Sequence, residues 1–114
     1  MPNLAVLSED LIPVNYNTDA FRNAIEDHLE ILRNHPETTL VEVTPIDALS
    51  RTGDFYGVLA DKHVPQYLWW TIMRMNRMTS PHHYTGEQIR FIVPNENFVT
   101  RISQAVATRH ILNI

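Results

Sequence analysis

The stretch of sequence that decides the predicted fold is RTGDFYGVLADKHVPQYLWWTIMRMN, residues 51–76, in which a turn signal precedes two helical patterns separated by a proline. Gly53 permits a tight turn, and Asp54 is well placed to cap the short helix that follows it. This first helix carries apolar side chains on one side, at Phe55, Val58 and Leu59. Pro65 fits the first turn of a second helix, which we expect to end near Asn76.

Two alternating segments flank this helical stretch and predict β-strands. TTLVEVT (38–44) is rich in β-branched residues, and QIRFIV (88–93) is stopped by Pro94. The segment MTSPHHYTGE (78–87), which precedes the second strand, is typical of a loop. The predicted order is therefore strand, helix, helix, strand, in an α+β domain at residues 38–94.

The segments outside this domain predict an arm, a helix and a tail. Residues 1–16 read as an extended arm with a short strand at Leu4–Leu7, and Asn17 or Thr18 offers a cap for the helix that follows. That helix is amphipathic, is closed by Pro36, and completes an N-terminal region at residues 1–37. Its apolar positions are Phe21, Ala24, Ile25, Leu29 and Leu32. The tail at 95–114 fits either a helix or a strand added to a neighbouring sheet.

Composition excludes several classes of function. The 114 residues fit one small domain with extra arms, and the net charge is −4 with the nine basic residues scattered, which argues against nucleic acid as a partner. Eight of the nine are Arg, a weak indication of protein contacts. The chain has no cysteine, no basic start followed by an apolar run, and no stretch of roughly 20 apolar residues, so we expect neither a secretion signal nor a membrane partner.

No group of residues predicts catalysis, a metal site or a cofactor. His82 and His83 are adjacent in a loop, where two histidines rarely converge on one ion, and no cysteine or acidic cluster completes a ligand set. Asp54 has a capping role, and nothing places a second carboxyl across a cleft from it. No nucleophile-elbow sequence surrounds a serine. We therefore assign no catalytic residue and expect the chain not to be an enzyme.

The order and spacing of these elements resemble the lysin motif (LysM), a family in which two helices pack on one face of a two-stranded antiparallel sheet. The resemblance covers about half of the chain, residues 38–94. It rests on a Gly-Asp pair before the first helix, an apolar-Ala pair at its end, an Asn closing the second helix, and a Gly, a polar pair and an alternating strand before a Pro. The matching residues are Gly53-Asp54, Leu59-Ala60, Asn76, Gly86, Glu87-Gln88, 89–93 and Pro94.

The second helix departs from sugar-binding members of this family because it is aromatic and apolar on nearly all sides. If Trp69, Ile72 and Met73 face the sheet, Tyr67, Trp70 and Arg74 lie on another face, which a small domain is not expected to bury by itself. This element is similar to the LysM-like domain of baseplate wedge proteins in contractile-tailed bacteriophages. The resemblance implies a structural virion protein that assembles in the host cytoplasm and joins neighbouring baseplate or tail subunits. We predict that its interface includes Tyr67, Trp70, Arg74 and Met78, together with both arms.

A second hypothesis is a module that binds peptidoglycan or a chitin-type glycan. In the lysin-motif family the glycan groove lies between the loop that enters the first helix and the loop that leaves the second. The matching residues here are Asp54, Phe55, Asn76, Arg77 and Met78. The Trp69-Trp70 pair does not provide a flat sugar platform, because adjacent helical residues diverge by about 100°. A third hypothesis is a small adaptor of a bacterial cell carrying the same domain.

Overall fold

The computed structural model describes Tyr16 and residues 18–112, with side chains up to residue 108. Apart from Tyr16, the predicted arm at 1–16 and its strand at Leu4–Leu7 lie outside these residues. The described chain contains six α-helices and two strands: α1 (Asp19–Asp27), α2 (Leu29–Asn34), β1 (Thr39–Glu42), α3 (Pro45–Ser50), α4 (Phe55–Asp61), α5 (Trp69–Met75), β2 (Arg90–Val93) and α6 (Glu96–Leu112). Two 3-10 turns lie at Gln66–Leu68 and Pro81–His83.

The two strands pair in an antiparallel sheet, so the α+β class is confirmed. Val41 lies opposite Phe91 and Leu40 lies opposite Ile92, with one residue against one along the whole pairing. The ladder continues past the strand ends, because the N–H of Val43 donates to the carbonyl of Ile89 at 2.9 Å.

Three helices lie between the strands, where the sequence predicted two. The additional helix is α3, which begins at Pro45. The Thr44 side chain accepts a hydrogen bond from the N–H of Asp47 at 3.2 Å and so caps this helix. Proline at a first helical position costs little, because its missing N–H has no intrahelical acceptor there. The sequence Thr44-Pro45-Ile46-Asp47 is therefore a usable helix start.

The N-terminal helix is interrupted at His28, where a single helix was predicted. Thr18 caps α1 by accepting from the N–H of Phe21 at 3.1 Å, as one of the two predicted alternatives. His28 leaves helical geometry, and its Nδ1 donates to the carbonyl of Ala24 at 2.6 Å. This bond competes with continuation of the helix, and α2 starts one residue later.

One apolar core joins the domain to both flanking helices. The Phe91 ring is fully buried against Phe55 and Tyr84, with ring centroids 5.1 and 5.8 Å away. From outside the domain, α1 and α2 contribute Phe21, Ile25, Leu29 and Leu32, and α6 contributes Val99 and Ile102. The tail is therefore a helix, which resolves the choice that the sequence left open.

Candidate interaction surfaces

The C-terminal end of α5 is held by several backbone and side-chain hydrogen bonds. The N–H of Met78 donates to the carbonyl of Met73 at 3.0 Å, and the N–H of Arg77 donates to that of Arg74 at 3.1 Å. This pair of bonds is a Schellman motif, which requires one residue in left-handed geometry. Arg77 is that residue, with φ of 67°. Asn76, at which we expect the helix to end, is its C-cap and has φ of −93°.

Asn76 joins the end of α5 to the second strand. Its Oδ1 accepts from the N–H of Ile92 at 3.0 Å, and its Nδ2 donates to the carbonyl of Ile92 at 2.9 Å. The same Nδ2 donates to the carbonyl of Ile72 at 2.7 Å. The side-chain amide therefore occupies the place that a neighbouring strand would take along β2. The predicted helix end at Asn76 is confirmed, and its side chain reaches a second element that the sequence did not indicate.

Arg33 of α2 also donates to two carbonyls of this junction. Its Nε donates to the carbonyl of Met75 at 2.9 Å, and its Nη2 donates to that of Arg74 at 3.1 Å. A cation at the C-terminal end of a helix also interacts favourably with the helix dipole. The N-terminal region is thus tied to the domain by hydrogen bonds as well as by apolar contacts.

The predicted interface face of α5 is covered by residues of the same chain. The ring of Tyr67 packs on that of Tyr16, with centroids 4.7 Å apart. The Arg22 guanidinium lies 5.1 Å from the centroid of the Trp70 ring, within the range of a cation–π contact. Both aromatic side chains are half-buried. We call the side chains of Tyr67, Trp70, Arg74 and Met78 the covered face.

Arg74 pairs with α1 across the covered face. Its Nη2 lies 3.0 Å from the Oε2 of Glu26, its Nε bonds the other carboxylate oxygen, and its Nη1 donates to the carbonyl of Met78 at 2.9 Å. The hydrogen bond from Arg74 holds the pKa of Glu26 below its ordinary value, and the same bond raises the pKa of Arg74. The Met78 side chain is half-buried beside this pair. The domain at 38–94 does not cover this face by itself, but α1, which lies outside the domain, packs on it. The role of these four residues as an interface stays a prediction.

Trp69 and Trp70 have different environments, as their divergence on a helix requires. The Nε1 of Trp69 donates to the carbonyl of Val64 at 2.9 Å, and its ring packs on Tyr56 with centroids 5.5 Å apart. Ile72 and Met73 are buried as expected. Trp69 is half-buried, so it contributes to the edge of the core more than to its centre.

Three of the residues that match the glycan groove are committed to contacts within the chain. Phe55 is 0% exposed, so its ring has no surface for a sugar. The Oδ1 of Asp54 accepts from the N–H of Gly57 at 3.0 Å, which is the predicted cap, and its Oδ2 lies 3.3 Å from Arg51. Asn76 uses both atoms of its amide as described above. Arg77 is exposed and Met78 is half-buried.

The two predicted turn glycines bring the loops of the domain together. Gly53 and Gly86 have φ of 77° and 83°, and the N–H of Gly53 donates to the carbonyl of Tyr84 at 2.7 Å. A Cβ on Gly86 would lie 2.7 Å from Thr52 Oγ1 and 3.1 Å from the carbonyl oxygen of Ala48. Gly86 therefore permits both the turn and the close approach of α3.

Apolar side chains are exposed elsewhere, on β1, α2 and α3. Leu40 is 57% exposed, and Ile46 and Leu49 are 79% and 63% exposed. We call Leu40, Ile46 and Leu49 the open aliphatic residues, and Ile31 on α2 is a further exposed side chain. Sequence reasoning missed Ile46 and Leu49 because it missed α3. A helix beginning at Pro45 would have placed them three residues apart on one face.

The described residues offer no evident metal site or membrane span. No group of three or more histidine, aspartate or glutamate side chains between residues 18 and 108 is arranged to hold an ion. His82 Nδ1 lies 3.3 Å from the carbonyl of Gly53, whereas His83 Nδ1 lies 3.2 Å from Thr79 Oγ1, so the two rings have separate partners. In the same part of the chain, no helix has the length and apolar character needed to cross a bilayer.

Asp61, a further carboxylate of the domain, is paired with arginine. Asp61 accepts from Nη2 and Nε of Arg51 at 2.7 and 2.9 Å, and this hydrogen bonding holds the pKa of Asp61 below its ordinary value. A carboxylate with a lowered pKa is a poor general acid at neutral pH, so this pair gives no indication of acid catalysis.

Comparison of the chain with models of known protein families, with curated proteins and with solved structures gives no match in any of the three.

Proposed function

We propose that this chain is a non-enzymatic structural adaptor with a LysM-like domain, which holds neighbouring subunits together in the tail baseplate of a contractile bacteriophage. The observation that carries the proposal is the link from Asn76 to Ile92, which fixes the end of the second helix to the second strand. It occurs at the Asn that the resemblance to the lysin motif singled out. The additional helix α3 is a departure from the βααβ order of the lysin motif.

The adaptor role is favoured over glycan binding by the state of the groove residues. A sugar-binding groove needs aromatic faces and free hydrogen-bonding groups. Phe55 is buried, and the polar atoms of Asp54 and Asn76 already have partners. The open aliphatic residues, in contrast, are a feature that a protein partner would cover.

Binding to insoluble peptidoglycan distinguishes an adaptor from a glycan-binding module. The purified chain is sedimented with the polymer, in parallel with Arg77→Ala, which changes the exposed groove residue, and Arg101→Ala, an exposed arginine on α6, as the matched control. We expect no saturable binding by any of the three. Saturable binding that Arg77→Ala weakens and Arg101→Ala does not would overturn the structural reading in favour of the glycan groove.

Quantitative mass spectrometry of purified particles distinguishes a component of the virion from an adaptor that acts in the cell. Contractile tails are isolated from a phage that carries this sequence and are dissociated into baseplate and sheath fractions. We expect the chain in the baseplate fraction, in a fixed ratio to the other baseplate subunits. Its absence from washed particles would contradict the proposal of a virion protein and would favour an adaptor that acts in the cell.

A further inference from the structure

The two edges of the β-sheet differ in how their backbone groups are satisfied. In an antiparallel pair, alternate residues direct their N–H and C=O away from the partner strand. On β2 these residues are Arg90 and Ile92. The side chain of Gln88 donates to the carbonyl of Arg90 at 2.8 Å, and Asn76 bonds both groups of Ile92. Side-chain amides therefore bond three of the four outward backbone groups of this edge, all but the N–H of Arg90.

Among the residues that the structure describes, no side-chain amide bonds the outward edge of β1. Since Val43 bonds inward to Ile89, the residues of β1 that direct their N–H and C=O outward are Leu40 and Glu42. Within the described chain the sheet has only two strands, and no side chain bonds to these four groups. The short length of Thr39–Glu42 and the charge of Glu42 give this edge some protection, but the strand contains no proline or lysine and the pairing has no bulge.

The open edge is complementary to a second copy of itself. If two β1 strands pair antiparallel about a twofold axis at Val41, Leu40 of each copy lies opposite Glu42 of the other. This register satisfies all four outward groups of each copy with four hydrogen bonds. A twofold axis at Leu40 would instead use the N–H of Thr38, which already donates to the carbonyl of His35.

Charge and burial favour the same register. It places each Glu42 opposite a leucine and not opposite the other Glu42, so like charges do not face each other. Glu42 also retains its ion pair with Arg90, whose Nε lies 2.7 Å away. Leu40, which is 57% exposed in the single chain, becomes a cross-strand neighbour in the pair.

We propose that two copies of this chain associate through β1, in antiparallel register centred on Val41, to form one continuous four-stranded sheet. This self-association does not depend on the assembly proposed above, and it is measured on the isolated full-length chain. A failure of one proposal therefore leaves the other standing.

Single-cysteine crosslinking tests the register directly, because the chain contains no cysteine. At the axis, Val41 faces its own counterpart in a pair without mutual hydrogen bonds, with Cα atoms about 4.5 Å apart, which suits a disulfide. Thr39 would lie four residues along the strand from its counterpart, roughly 13 Å away and beyond disulfide reach. We expect Val41→Cys to form a covalent dimer under mild oxidation at least about tenfold faster than Thr39→Cys. Equal rates, or a faster Thr39→Cys, would overturn the proposal.

Sedimentation equilibrium provides a second, independent measurement. The wild-type chain should associate reversibly as its concentration rises. Leu40→Pro removes an outward N–H without touching the bonds between β1 and β2, whereas the control Leu40→Val keeps that N–H. We expect Leu40→Pro to lower the association constant roughly tenfold and Leu40→Val to leave it nearly unchanged. A wild-type chain that stays monomeric up to its solubility limit would refute the pairing of two copies and would leave the edge to a strand of another protein.

Discussion

The covered face of α5 is packed against other residues of the same chain, whereas the open aliphatic residues of β1 and α3 are exposed. Residue type alone does not predict this difference. The covered face carries two large aromatic side chains and an arginine, a composition that is typical of interfaces, yet α1 and Tyr16 already pack on it. Leu40, Ile46 and Leu49 are ordinary aliphatic side chains, and they are more than half exposed. Residue type therefore identified a surface that needs a partner, but it did not show that the partner lies in the same chain.

The covered face is covered only when the domain at 38–94 and the preceding helix α1 are considered together. The domain at 38–94 would leave Trp70 and Arg74 exposed if it stood alone. Glu26 and Arg22 lie 44 to 52 positions earlier than these two residues, on α1. In this protein the N-terminal helix is thus part of the same folded unit as the domain, not an arm extended toward a neighbour.

Among single substitutions, Asn76→Ala is expected to produce the largest loss of stability, because it disconnects α5 from β2 next to the covered face. The change removes three hydrogen bonds and leaves the N–H of Ile92 without its acceptor. We expect the free energy of unfolding to fall by about 2 kcal/mol, measured by urea denaturation. The control Asn34→Ala, on an exposed asparagine that bonds only within its own helix region, should cost less than about 0.5 kcal/mol. Equal costs for the two variants would show that the Asn76 link does not stabilise the junction.

Arg77→Gly is expected to change stability in the opposite direction. Arg77 holds the left-handed position of the Schellman motif, where a residue with a Cβ is strained by about 1 kcal/mol. Glycine removes that strain, but it also increases the conformational entropy of the unfolded chain. This entropy offsets part of the stabilisation. We expect a net gain of about 0.5 kcal/mol in the free energy of unfolding. Arg101→Gly, the same change at an exposed position inside α6, should instead cost about 1 kcal/mol. Destabilisation by Arg77→Gly would mean that its exposed side chain makes a contact that outweighs the strain.

Local signals in the sequence were sufficient for most elements of the domain. The cap at Asp54, the turn glycines at 53 and 86, and the end of the second helix at Asn76 each depend on residues within about four positions of one another. Such short-range chemistry can be predicted because the interacting groups lie together in the chain. The two strands also followed from alternation and β-branched content, whereas their antiparallel pairing was implied only by the resemblance to the lysin motif.

The remaining features depend on contacts between distant residues or on weak local competition. No pattern indicated that Arg33 would reach the carbonyls of Arg74 and Met75, which are more than 40 positions away. The break at His28 arises from one side-chain bond to Ala24 that competes with a continuing helix. The short helix α3 was missed because six residues are too few for a helical period to be visible.

Replacing Ile46 and Leu49 together by serine should have the smallest effect on stability. The double variant tests directly whether these two open aliphatic residues are exposed in the folded chain. Both side chains already face water, so the double variant should change the free energy of unfolding by less than about 0.5 kcal/mol. The corresponding change on the covered face, Tyr67 and Trp70 together to serine, removes the stacking on Tyr16 and the contact with Arg22 and should cost several times more. Urea denaturation of both double variants at low protein concentration measures the difference, since dilution keeps any self-association out of the result. A loss of more than about 1 kcal/mol for the Ile46 and Leu49 pair would mean that these side chains are buried by part of the same chain, and the open surface would then be another covered face.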